Sequence, residues 1–250
     1  MKRLWQRWTL LFCLQLGLWF AALLFSLSVG AAEIPFPETM QILLSPIVPF
    51  KPTWSPTSAV ILLQVRLPRV ILASLVGCAL AVAGVVFQAI LRNPLAEPYI
   101  LGVSGGAAVG TILALMLGLN RLVFGISPLP LAATLGATLT IFLVYRIALQ
   151  EGYLFPHTLL LAGVIVSSFL TALIMLLTSI ASSEQAKGII FWLMGDLGSA
   201  AYRLLGFAAP YLFCGILLLY LQAGRLNILT LGEETALQLG IEVERMKFFF

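Results

Sequence analysis

Apolar residues along the chain gather into six long runs, at about 9–30, 70–91, 101–119, 129–149, 158–181 and 204–222. Each is close to the roughly 20 helical residues that cross a hydrocarbon core. A barrel strand would instead show about ten residues of alternating polarity, so the runs predict helices. The intervening segments, 31–69, 92–100, 120–128, 150–157, 182–203 and 223–247, hold nearly all the charges and most of the prolines. Phe248, Phe249 and Phe250 follow Arg245 and Lys247 and read as the opening turn of a seventh span. The expectation is an all-α, polytopic transmembrane bundle: one membrane domain over 1–250, incomplete at its C-terminal end, with about six spans and the start of another.

Composition agrees with this pattern. The chain is 61% hydrophobic and 10% charged, against roughly 45–50% and 25% for a soluble protein. That excludes a soluble globule, and it excludes disorder, which requires too little apolar surface to offset ordering entropy. The net charge of +4 comes from basic residues scattered singly, so nucleic acid is not an expected partner. Cys13, Cys78 and Cys214 lie in apolar stretches without CxxC spacing or a nearby histidine. They read as small hydrophobes, with neither a disulfide framework nor a metal site.

Lys2, Arg3 and Arg7 precede an apolar run ending at Gly30-Ala31-Ala32, which resembles a secretory signal. The run of about 22 residues exceeds the usual 7–15 of a signal core, which favours an uncleaved anchor. With the N-terminus inside, Lys2, Arg3, Arg7, Arg92, Arg146, Arg225, Arg245 and Lys247 are cytoplasmic, and Lys51, Arg66, Arg69, Arg121, Lys187 and Arg203 are outside. Eight against six favours that orientation, and it places 223–247 in the cytoplasm.

Small residues recur at helix-contact spacing: Gly77 and Ala81, then Gly102, Gly106 and Gly110, then Ala132, Gly136 and Thr140. Such spacing lets backbones approach where lipid supplies no hydrophobic drive. No charged residue falls in the middle of a run, and the single histidine, His157, sits at a boundary. Ion-coupled pumps keep ionisable groups within the membrane; here energy is expected from a separate motor that grips 223–247. Two alternatives stay open. Gly102-Val103-Ser104-Gly105-Gly106, followed by Glu151 and His157, has the residue order of an α/β-hydrolase, whose nucleophile elbow needs a strand that is missing before this helix; an intramembrane serine protease would tolerate the helices, but a single histidine fits it poorly. An energy-independent channel is the other.

Several stretches are more specific. Arg66-Leu67-Pro68-Arg69-Val70, Gly77-Cys78-Ala79-Leu80-Ala81-Val82-Ala83-Gly84, and Arg92-Asn93-Pro94-Leu95-Ala96-Glu97-Pro98 leading into Leu101-Gly102-Val103-Ser104-Gly105-Gly106-Ala107 resemble the FecCD family. So do Leu159 to Val164, Phe191 to Gly195, and Leu226 through Glu234 to Gly240. The family comprises permease subunits of ABC importers for iron-siderophore, haem and cobalamin. The resemblance implies a permease of about ten spans in the cell inner membrane, paired with a second permease subunit as a homo- or heterodimer. Two cytoplasmic ATPase subunits and an extracytoplasmic substrate-binding protein would complete the importer.

By that resemblance Arg66 and Arg69 pair with acidic groups on the binding protein, unless they only anchor the second span. Gly232, Glu233, Glu234, Leu237, Leu239 and Gly240 belong to the segment that sits on the ATPase, expected as a short amphipathic helix with Leu237 on its apolar side, or else as a plain solvated helix. Pro156, His157 and Thr158 fall at the cytoplasmic gate, where a simple helix start at Pro156 is the other reading. No G-x-x-x-x-G-K-[ST] motif occurs. The chain is therefore expected not to be an enzyme and to carry no cofactor, with ATP hydrolysed on the partner.

Overall fold

The computed structural model describes residues 2–48, 52–119, 127–198 and 200–250, with side chains from Trp5 onward. Lys51 and Arg121, assigned above to the outer side, lie outside the described residues, as do the side chains of Lys2 and Arg3. The elements in order are α1 (Lys2–Ser28), α2 (Phe36–Leu44), α3 (Pro56–Val60), α4 (Leu67–Leu91), α5 (Val103–Met116), α6 (Leu129–Ala148), β1 (Leu149–Gln150), β2 (Tyr153–Leu154), α7 (Pro156–Ile180), α8 (Ser183–Met194), α9 (Tyr202–Leu221), α10 (Ala223–Thr230), α11 (Glu233–Gln238) and α12 (Val243–Phe249). Among the described residues, five helical stretches are long and apolar enough to cross a membrane: Trp5–Ser28, Pro56–Leu91, Leu129–Ala148, Pro156–Ile180 and Tyr202–Leu221. This is a multi-pass membrane protein, and leucines and phenylalanines on the outer faces of these helices are exposed, as suits hydrocarbon as solvent.

The third expected span, 101–119, is shorter than its apolar run. Gly102 stands at φ +75° and α5 holds only 14 residues, about 21 Å of helix. The second is longer. A π-helical stretch, Ile61–Arg66, joins α3 to α4 into one rod of 36 residues from Pro56 to Leu91. Pro68 has no N–H to offer the carbonyl four residues earlier, and its ring crowds that carbonyl; the widened π turn just before it accommodates both. Arg66 and Arg69 therefore sit within a helix, where the sequence suggested a loop.

The chain forms two compact units. The first comprises residues 1–76 and 197–209. Its core is Leu27, Ile34, Ile42, Leu62 and Val70. Arg66 is buried, and its guanidinium donates to the carbonyls of Leu27 at 2.8 Å, Ser28 at 3.1 Å and Ala32. The last four carbonyls of a helix have no partner within it, and Arg66 supplies donors for the end of α1. Tyr202 donates its hydroxyl to the carbonyl of Leu63 at 2.5 Å.

The second unit comprises residues 77–196 and 210–250. Here α5 and α6 are in backbone contact: a Cβ added at Gly106 would lie 2.6 Å from the Gly136 carbonyl oxygen, and one at Gly136 or Gly110 would collide with the carbonyl of Gly106 or Ala132. Gly77 has nothing within 4 Å of an added Cβ, and Ala81 is exposed. The core between α5, α6 and α7 includes Leu101, Val144, Ala148, Leu159, Ala162 and Val166. Residues 183–194, expected as a loop, form α8, begun by a capping box in which Ser182 Oγ accepts from the Gln185 N–H and Gln185 Oε1 accepts from the Ser182 N–H. The S-x-x-Q spacing was the available signal. Gln185 also donates to the Met116 carbonyl at the end of α5, at 3.3 Å.

Gly136→Ala is expected to destabilise the protein by about 1–3 kcal/mol, since the added methyl must push two backbones apart. Gly77→Ala should be neutral or slightly stabilising because helix propensity improves without a clash. Thermal unfolding of the two variants in detergent checks the contrast, and equal melting would contradict it.

Candidate functional site

The segment from 223 to 249 is built as three short helices packed on the end of α4. Leu226 and Leu229 of α10, Ala236 of α11, and Val243 and Met246 of α12 close over Val86, Ala89 and Ile90. Gly232 opens α11 at φ +123°, a conformation that disfavours any residue with a Cβ. Gly240 stands just beyond its end at φ +78°.

The side of α11 that is buried differs from the expectation. Ala236 is fully buried, whereas Leu237 and Leu239 are each 59% exposed. One helix is too short to bury two faces, and the small Ala236 lets α11 lie flat on α4 and α10, which turns Leu237 outward. Glu234 is exposed as well, while Glu233 is half-buried and turned toward the rest of the unit.

Glu233 reaches a buried cation. The Lys247 side chain is 2% exposed, and its Nζ donates to Glu233 Oε2 at 2.9 Å, Glu244 Oε1 at 2.9 Å and the Leu154 carbonyl at 2.7 Å. An ammonium has three N–H donors, and all three are used. The second oxygen of Glu244 accepts from the Leu154 N–H at 2.9 Å. Arg92 stands 3.8 Å from Glu233 Oε1, so two cations and two carboxylates balance. Edge-to-face packing of Tyr145 in α6 on Phe248, at 5.4 Å between ring centres, adds an apolar contact beside them.

Local sequence explains how each member is placed. Arg92 ends α4 at φ +48°; Asn93 Oδ1 then accepts from the Leu95 N–H at 2.9 Å, and Gln88 donates to the Pro94 carbonyl at 3.1 Å. Leu154 is delivered by a two-residue hairpin loop, Glu151-Gly152, with φ +50° and +85°. Positive φ at both positions is the type I′ arrangement that suits a tight hairpin. This hairpin is a small departure from the all-helical expectation.

Pro156 occupies the first turn of α7, the position where its missing N–H costs least. His157 is exposed, with its ring tilted 35° on Phe155 at 5.7 Å, and Thr158 is half-buried. Ser104 is exposed in the first turn of α5 and Glu151 at the hairpin tip. Among the described residues no hydrogen bond joins Ser104, Glu151 and His157. In the first unit Arg66 spends its donors on α1, and Arg69 is the exposed arginine of the pair.

The model of the FecCD transport family matches residues 18–250. The chain belongs to the FecCD transport family. It is similar to the cobalamin import system permease protein BtuC of Halobacterium salinarum, with 40% identity over 191 residues, 76% of this chain and 50% of that protein. It is 38% identical over 187 residues to the hemin transport system permease protein HmuU of Yersinia pestis, covering 74% of this chain and 55% of that one. It thus spans about half the length of these two FecCD relatives. A solved structure described as an inward-facing conformation of a putative metal-chelate type ABC transporter superposes with a TM-score of 0.76 and 33% identity, over 96% of this chain and 70% of that one. No relative supports a serine protease.

The Lys247 cluster is what sequence reading missed in this family member. Glu244 and Lys247 stand three apart, a legible helical pair, but nothing local points to Leu154, which is 93 residues from Lys247. Lys247→Ala is expected to destabilise the protein by about 1–3 kcal/mol, because charge-assisted bonds to two partly exposed carboxylates are lost and the Leu154 carbonyl is left unpaired. Arg92→Ala should cost less than about 1 kcal/mol, given its long and half-exposed contact. Thermal unfolding of both variants measures the difference.

Proposed function

We propose that this chain belongs to the permease subunit of an ATP-driven importer for iron-siderophore, haem or cobalamin. The observation that carries the reading is the FecCD match across nearly the whole chain, with relatives named for cobalamin and hemin transport. The permease pairs with a second copy or a related chain. Two ATPase subunits act from the cytoplasm, where 223–247 lies with the N-terminus, and a substrate-binding protein docks from outside. ATP is bound and hydrolysed on the partner, and the permease itself is not an enzyme.

Within this reading, Glu234 and Leu237 on the exposed side of α11, with Leu239 at its C-terminal cap, form the surface that meets the ATPase. Leu237 on the helix and Leu239 at its cap are each 59% exposed and offer that partner two apolar anchors beside Glu234. Glu233 faces the other way and holds the helix in place, with Gly232 and Gly240 as its ends. Arg69 is the outer arginine free to pair with an acidic side chain of the binding protein, and its planar fork suits a carboxylate. Pro156, His157 and Thr158, at the start of α7, stand at the cytoplasmic gate.

Leu237→Asp with Leu239→Asp should remove co-purifying ATPase by at least about tenfold, the size of effect expected when two buried apolar anchors are replaced by charges. Retention of the ATPase at the native level would refute the assignment of α11. Separately, Arg69→Glu should weaken binding-protein affinity measured on the permease in nanodiscs, and unchanged affinity would remove Arg69 from the docking surface.

A further inference from the structure

The buried Lys247 side chain joins parts of the chain that the sequence places far apart. Its three bonds reach Glu233 at the start of α11, Glu244 on its own helix α12, and the Leu154 carbonyl of the hairpin between α6 and α7. Glu244 closes the arrangement by accepting the N–H of the same Leu154. Both backbone groups of the residue two positions before Pro156 are thus held by α12, and the same ammonium of α12 also binds Glu233 of α11.

We propose that Lys247 is a positioning residue that locks α11 to the 149–154 hairpin, so that displacement of α11 moves the start of α7 as one body. The inference rests on the reading of α11 as the ATPase-facing helix. Three features support it. The apolar cluster beneath α11 joins it to α4, α10 and α12, and the bonds of Lys247 and Glu244 to Leu154 carry that connection on to the hairpin. Those bonds are charge-assisted and directional, hence stiffer than apolar packing, which can slide. The geometry also has no slack: an ammonium with three acceptors at 2.7–2.9 Å cannot yield one partner without leaving a buried donor unpaired.

Leu154 then passes the motion on. Only Phe155 separates it from Pro156, the first residue of α7. A shift of the hairpin by the sliding or tilting that packed elements allow is delivered to the end of a 25-residue helix. Arg92, at 3.8 Å from Glu233 and half exposed, balances charge but contributes little stiffness.

The test uses the assembled transporter in lipid nanodiscs, with spin labels on Thr235 of α11 and Gln150 of the hairpin, both exposed. The native cysteines Cys13, Cys78 and Cys214 are replaced by serine. The label separation is measured by electron spin resonance without nucleotide and after trapping with ATP and vanadate. With native Lys247 the separation is expected to be the same in both states. Glu233→Ala removes the acceptor that ties α11 to Lys247 while leaving the bonds of Lys247 to Glu244 and Leu154; Lys247→Met removes all three. In each variant the separation should become dependent on nucleotide state, and Arg245→Gln, at an exposed pair with Glu242 outside the lock, should leave it constant.

A constant separation in Glu233→Ala with the ATPase still bound overturns the lock and leaves the functional reading standing. Failure of the native chain to retain any ATPase overturns both. If Lys247→Met does not fold, Glu233→Ala decides the matter alone, because Lys247 keeps a carboxylate and a carbonyl there. A purely structural role for Lys247 would lower melting temperature without making the separation respond to nucleotide.

Discussion

A chain that lives in hydrocarbon has to satisfy, from its own atoms, each backbone group that leaves a helix or strand. Backbone groups beyond the helix ends, at the margins of the membrane, are in several places here taken up by the protein's few polar side chains. Arg66 occupies the bare carbonyls at the end of α1, and Gln185 reaches the carbonyl of Met116 at the end of α5. Gln88 holds the Pro94 carbonyl beyond α4, and Glu244 with Lys247 takes both backbone groups of Leu154. Side chains that read as topology markers in the sequence are in these cases caps. Their charges are then balanced locally, as in the group of Arg92, Lys247, Glu233 and Glu244.

The second consequence is mechanical. Helices in lipid gain nothing from hiding apolar surface, so α5 and α6 hold together through close backbone contact at Gly106, Gly110 and Gly136. Contacts of that kind resist deformation. The ion cluster around Lys247 is stiff in a different way, through short directional bonds. A helix held by both an apolar bed and a buried ammonium, with leucines bare on its other side, is fitted to receive a push and pass it on.

The helical class and most of the spans were legible because hydropathy reports directly on solvent, and the bilayer dictates how long an apolar run must be. Boundaries were less so. Pro68 reads as a break, yet a π turn carries the helix through it; the apolar run at 101–119 outlasts α5 because Gly102 and Gly118 adopt left-handed conformations at either end. The capping box at Ser182 and Gln185 was present in the sequence, but the charges around it made a loop the simpler reading. At the site, short-range signals located α11 between its two glycines. The inward face of α11 could not be derived, since it depends on Ala236 meeting residues of α4 some 150 positions earlier. The same holds for Lys247, whose partners are assembled only by the fold.

The central claim is that α11 is the ATPase-facing element of a FecCD permease and is held rigidly from behind by Lys247. A cryo-electron microscopy structure of the assembled permease and ATPase in lipid tests it most directly. The account predicts that Leu237 and Leu239 lie covered against the ATPase while Lys247 stays between Glu233, Glu244 and Leu154. An ATPase docked elsewhere, with α11 bare and Lys247 released from Glu233, would contradict it.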